Sequence, residues 1–127
     1  MCMKRVYLSP HFDDVALSCG GLVWEQVQRG DAVMVWTICG GNPAPDQPYS
    51  AFAQLLHERW NSGPEAVAVR RAEDIASCQA MGASWRHFTL TDCIYRTGLA
   101  GQHLYPSEES LWGGLHAEDL PLIQVLA

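Results

Sequence analysis

The apolar positions change their period along the chain. Residues 4–8, KRVYL, read as a short strand. VALSCGGLVWEQVQRG follows, with Val15, Leu22, Val23 and Val27 at roughly helical spacing and Gly30 where a helix stop belongs. Residues 31–41, DAVMVWTICGG, form a continuous β-rich apolar run, the pattern of a strand buried on both faces of a parallel sheet. The three prolines of NPAPDQPYS require a loop. Helical periodicity returns over 51–61 and again from Pro64 to Gly82, with Pro64 near a helix start and Gly82 at its stop. WRHFTL (85–90) reads as a third strand, 91–114 mostly as loop, and HAEDLPLIQVLA as the opening of another helix. Strand, helix, strand, helix, helix, strand is the order of βαβ units. It predicts an α/β fold, a three-layer Rossmann-like sandwich with a mainly parallel sheet and helices on both faces.

At 127 residues the chain is expected to be a single domain spanning 1–127. Its apolar end, PLIQVLA, has no capping signal or polar tail, so the expected fold is truncated at its C-terminus or covered there by a partner, a second copy included. Eight basic against fourteen acidic residues, a formal charge of −6, argue against a surface for nucleic acid or for an anionic membrane. No apolar run is long enough to span a bilayer, and the N-terminus lacks the pattern of a signal peptide, so the cytoplasm is the expected location. Cys2, Cys19, Cys39, Cys78 and Cys93 are odd in number and widely spaced, which predicts reduced thiols rather than a disulfide framework.

The chemistry concentrates in SPHFDD, directly after the first strand. A parallel sheet receives its ligands at the carboxyl ends of its strands. His nitrogen and Asp oxygen are both ordinary zinc ligands, and His11 and Asp14, three apart in a turn entering a helix, can converge on one ion. Asp13 would then stay outside the metal sphere, where a free carboxylate can act as a general base. The competing reading is equally simple: Asp13 and Asp14 cap the helix N-terminus, and His11 is a loop residue. Gly20–Gly21 and Gly40–Gly41 mark close approach of another backbone or of a ligand.

SPHFDDVALSCGG resembles the signature of the PIG-L/LmbE family of zinc-dependent de-N-acetylases, with Phe12 where many members have Pro and Val15 where many have Glu. TICGGNP is similar to the family's second strand and its Gly loop. RRAEDIASCQAMGA resembles its R-x-x-E helix with Arg70 and Glu73 at the matching positions, and HFTLTDCIYR resembles the next strand with Asp92 as the match. The resemblance implies removal of an acetyl group from an N-acetylated amino sugar of GlcNAc type, carried on a larger conjugate. It implies zinc as cofactor, His11 and Asp14 as metal ligands, Asp13 as the base that activates water, and Arg70 and Asp92 as substrate contacts. The family's third ligand comes from an H-x-x-H motif that does not occur in these 127 residues. None of His57, His87, His103 and His116 is expected to replace it. Loose zinc binding by the chain alone is therefore expected, and the alternative is an inactive family member serving as a sugar-binding or assembly module.

Overall fold

The computed structural model describes all residues from Met1 to Ala127. In chain order the elements are β1 (Lys4–Ser9), α1 (Asp14–Gln28), β2 (Ala32–Thr37), α2 (Ala51–Arg59), α3 (Ala66–Met81), β3 (Ser84–His87), α4 (Glu108–Trp112) and α5 (Leu122–Leu126). Single 3₁₀ turns occupy Cys93–Tyr95 and Ala117–Asp119. The chain divides into two compact units, residues 1–42 with 64–91, and residues 43–63 with 92–127.

The first unit carries a three-stranded sheet in the order β1-β2-β3, parallel throughout. The expected parallel α/β class is what the chain adopts. Both β–helix–β crossovers step to the next strand in the same direction. With the usual right-handed crossover, α1 and α3 must then cover the same face. The core shows that they do: Val33 and Val35 of β2 pack with Val15 and Val23 of α1 and with Cys78 and Met81 of α3. This explains a departure from the sequence pattern of β2. Its apolar run predicts burial on both faces, yet only Val33, Val35 and Thr37 are buried, while Met34 and Trp36 on the other face are half-buried. On β1 the same alternation leaves Val6 and Leu8 exposed.

α1 is bent at Cys19, whose backbone leaves helical geometry just before the Gly pair. Gly20 is there for packing: a Cβ at this position would stand 3.2 Å from the Met81 sulfur of α3. Gly21 meets nothing nearby. α3 ends at Gly82, in the left-handed region at φ 74°, whose N–H closes on the last turn. The Gly40–Gly41 loop lies against the segment that follows β3. The Gly41 N–H donates to the Leu90 carbonyl at 2.9 Å, and a Cβ on Gly41 would fall 2.0 Å from the Thr89 oxygen. Gly20 and the Gly40–Gly41 pair thus serve close contacts within the protein.

In the second unit, Ser50 caps α2 by accepting from Ala53 N–H. His57 and Tyr95 join α2 to the Cys93–Tyr95 turn through a 2.7 Å contact between Nε2 and the phenol oxygen. A buried ion pair of 2.9 Å between Arg96 and Asp119 ties that turn to the Ala117–Asp119 turn. The stretch 91–114, expected as loop, holds the short helix α4, closed by a Ser107–Ser110 capping box. His116 caps the Ala117–Asp119 turn by accepting from Glu118 N–H.

Candidate metal and base site

β1 ends at Ser9, and the segment 10–13 turns the chain into α1. Most backbone groups of this turn have a defined partner. The Ser9 hydroxyl, fully buried, donates to the His11 carbonyl at 2.7 Å. His11 N–H donates to Asp14 Oδ2 at 2.8 Å. The Arg70 guanidinium donates to the Phe12 carbonyl at 3.3 Å. Asp13 N–H donates to Asp74 Oδ1 at 3.0 Å. Phe12 itself is buried, so the motif alternates an outward His, an inward ring and two outward acids.

These contacts weigh against the capping reading. Asp13 occupies the N-cap position of α1, but its carboxylate makes no capping hydrogen bond. Its backbone sits in the left-handed region, φ 68° and ψ −8°. That conformation costs a non-glycine residue about 1–2 kcal/mol and persists only where the surroundings impose it. The Asp14 carboxylate turns back to His11 instead of toward the following turn. His11 Nδ1 and Asp14 Oδ2 stand 3.4 Å apart with both side chains about two-fifths exposed. Two donors at about 2.0–2.1 Å from a tetrahedral zinc lie about 3.3–3.4 Å apart, so this His/Asp pair fits two corners of such an ion. No third His, Cys, Asp or Glu joins them to complete a set of three.

Asp13 is electrostatically distinct. Its carboxyl is pushed above the usual carboxylate range, first by burial and then by the Asp74 charge, with Arg70 pulling the other way. A base must hold a proton for part of its cycle, and an acid neighbour in a partly desolvated site favours that state.

Asp74 and His87 are the residues that sequence reasoning missed. Asp74 is 2% exposed at the centre of α3. Besides Asp13 N–H, its carboxylate meets His87 Nε2 at 2.7 Å and the Thr37 hydroxyl at 3.5 Å, both through Oδ2. His87 closes β3 at its carboxyl end, whereas the sequence pattern placed it at a strand start. A signal for Asp74 did exist. Ala66, Arg70, Asp74 and Cys78 recur every four residues, and an acid in that stripe of α3 faces the core. Glu73, the matching residue of the R-x-x-E pattern, is exposed. Asp92 lies in the second unit, where its side chain caps the Cys93–Tyr95 turn by accepting from Ile94 N–H at 3.3 Å. His57 and His103 also belong to that unit, the first bonded to Tyr95 as described and the second with a buried Nδ1.

The His/Asp pair and the separate carboxylate stand at the carboxyl end of the first strand of a parallel α/β unit, where such sheets receive their ligands. The chain belongs to the PIG-L family: residues 6–117 match the GlcNAc-PI de-N-acetylases. It is similar to the 2'-N-acetylparomamine deacetylase of Niallia circulans, at 34% identity over an alignment of 119 positions that covers 85% of this chain and 43% of that protein. Among solved structures it resembles the zinc-inhibited form of a teicoplanin deacetylase, with a TM-score of 0.81 at 34% identity, over 97% of this chain and 47% of that one. It also resembles the A40926 pseudoaglycone deacetylase, with a TM-score of 0.65 at 42% identity, over 72% of this chain and 38% of that one. The chain therefore spans less than half the length of these relatives.

Proposed function

We propose that this chain supplies the base and two metal ligands of a zinc-dependent de-N-acetylase acting on amino-sugar conjugates. The observation that carries the reading is the arrangement at the end of β1: His11 and Asp14 paired at 3.4 Å, with the Asp13 carboxylate uncommitted to the helix it caps. Relatives named as deacetylases of acetylparomamine, teicoplanin and the A40926 pseudoaglycone support a substrate that carries an acetylated amino sugar on a larger body. One relative has a zinc-inhibited form, so zinc acts on at least that protein.

His11 and Asp14 would hold the ion, and bound zinc lowers the pKa of its water to about 7 and polarises the amide carbonyl. Asp13 accepts the proton of the water whose oxygen attacks the acetyl carbon. It then delivers that proton to the amide nitrogen as the C–N bond breaks, leaving a free amine and acetic acid, whose remaining proton passes to the amine or to solvent to give acetate. Burial and the Asp74 charge make Asp13 a stronger proton acceptor than an exposed aspartate, which suits both halves of that task. Arg70, held at the Phe12 carbonyl beside the base, is assigned to contact the sugar or its acetyl group. Asp92 keeps the same assignment by its place in the family motif.

The test is acetate release from N-acetylglucosaminyl glycopeptides and acetylated aminoglycosides by the full-length protein with one equivalent of zinc. Asp13→Asn should lower turnover by about 10²–10⁴-fold with zinc still bound, and His11→Ala and Asp14→Ala should lose the metal. Undiminished turnover after exhaustive chelation would sink the proposal.

A further inference from the structure

We propose that Asp74 is the positioning residue for the base, acting through the Asp13 backbone while leaving the metal pair to its own contacts. The inference rests on the deacetylase reading above. Four elements meet at one buried carboxylate: Asp74 projects from α3, Asp13 N–H comes from the turn before α1, Thr37 from the end of β2 and His87 from the end of β3. Oδ1 serves only Asp13 in this set, while Oδ2 takes the ring and the hydroxyl.

This division matters because the Asp13 backbone occupies the left-handed region, which aspartate tolerates better than most residues but which still costs it free energy relative to the helical region. The neighbouring carbonyls at His11 and Phe12 are held by Ser9 and Arg70. The Asp13 carbonyl accepts from Leu17 N–H within α1 at 2.9 Å, so the 13 N–H is the backbone group of Asp13 held from outside its own helix, and Asp74 is its acceptor. Rotating that peptide would swing the Asp13 Cα–Cβ bond and carry the carboxylate away from the position where it can take a proton. The His11–Asp14 contacts run through His11 N–H and Nδ1, neither of which Asp74 bonds. His87 and Thr37 in turn fix the carboxylate's rotation, and the Phe12 and His87 rings pack near-perpendicular with centroids 5.0 Å apart, which makes the turn and its anchor one packed group.

The experiment compares Asp74→Ala and Asp74→Asn in the full-length protein by three readings: steady-state kinetics, zinc titration calorimetry and amide exchange at Asp13 in the metal-free state. Asp74→Ala should lower kcat about 10–100-fold with KM and zinc affinity unchanged, and should speed Asp13 amide exchange by a similar factor. Asp74→Asn, which keeps an oxygen opposite Asp13 N–H, should restore most of both. Wild-type kcat and wild-type Asp13 protection in Asp74→Ala would overturn the proposal. So would a joint fall of zinc affinity and melting temperature that Asp74→Asn does not repair. If Asp74→Ala does not fold, His87→Gln carries the contrast, since it leaves the Asp13 bond in place and loosens the carboxylate. A partial kcat loss with zinc retained then supports the role, and no loss overturns it. A wild-type protein without turnover would defeat the deacetylase reading, whereas the exchange result reads the Asp74–Asp13 bond independently of turnover.

Discussion

Phe12 and His87 meet edge to face, their ring centroids 5.0 Å apart and their planes at 82°. One ring belongs to the site turn and the other to the last residue of β3, so this contact locks the turn to the sheet. The Arg71 guanidinium lies over the Phe12 ring, 5.6 Å from its centroid. Phe12 is 4% exposed. Truncation to alanine in such a site costs about 3–5 kcal/mol. Phe12→Ala should therefore lower the urea midpoint by a corresponding amount. Its residual activity should fall further than Phe12→Leu, because the Leu variant still fills the volume. Equal stability of the Ala variant and wild type would show that the turn stands without its ring.

His57 provides a pH test of the second unit. Its ring is buried, bonded to the Tyr95 hydroxyl at 2.7 Å and flanked by Tyr49 at 4.9 Å. Burial holds its pKa below the ordinary value of 6.5. The unfolded chain then binds the proton more readily than the folded one. The contribution of neutral His57 to stability is thus complete above about pH 6.5 and shrinks as pH falls toward the lowered pKa of the folded ring, with a slope of at most about 1.4 kcal/mol per pH unit. Urea unfolding between pH 5 and 8 should show this slope, and His57→Gln should remove it. A steeper decline in the variant than in wild type would reverse the sign argued here.

Gly82 answers to two constraints at once. Its backbone is left-handed at φ 74°, and a Cβ would approach the Val27 Cγ1 to 2.8 Å. The conformational penalty alone is about 1–2 kcal/mol, and the clash with α1 adds to it. Gly82→Ala should lower the melting temperature clearly, while Gly21→Ala, which meets nothing within 4 Å, should not and can raise it through helix propensity. The pair of melts is the measurement.

The cysteines should separate by reactivity. Cys78 is 1% exposed between α3 and the sheet, and burial pushes its thiol up to about 11. Cys2 is exposed. The thiolate is the reactive species, so iodoacetamide at pH 8 should label Cys2 rapidly and spare Cys78 until the protein is unfolded. Peptide mapping by mass spectrometry distinguishes the sites, and early labelling of Cys78 would show that the α3–sheet contact opens readily.

The succession of hydrophobic periods determined most of the first unit. It gave the parallel α/β order, the Gly82 helix stop and the placement of SPHFDD at the carboxyl end of β1, because these depend on local pattern and on short connections. It also picked out His11, Asp13 and Asp14 as the chemistry-bearing group. Local pattern could not choose between a helix cap and a metal-and-base site, since both use acids at a helix start. Only the folded chain decides that the Asp13 carboxylate caps nothing and that Asp14 turns back to His11. The same holds for α3. Glu73 and Asp74 are neighbours in sequence, but one step along a helix rotates a side chain by about 100°. The packing of α3 against α1 and the sheet fixes that rotation, leaving Glu73 in solvent and Asp74 buried beneath the site turn. His87 reaches the same carboxylate because the parallel register aligns it with Thr37, 50 residues away, a pairing set by strand order rather than by any local signal.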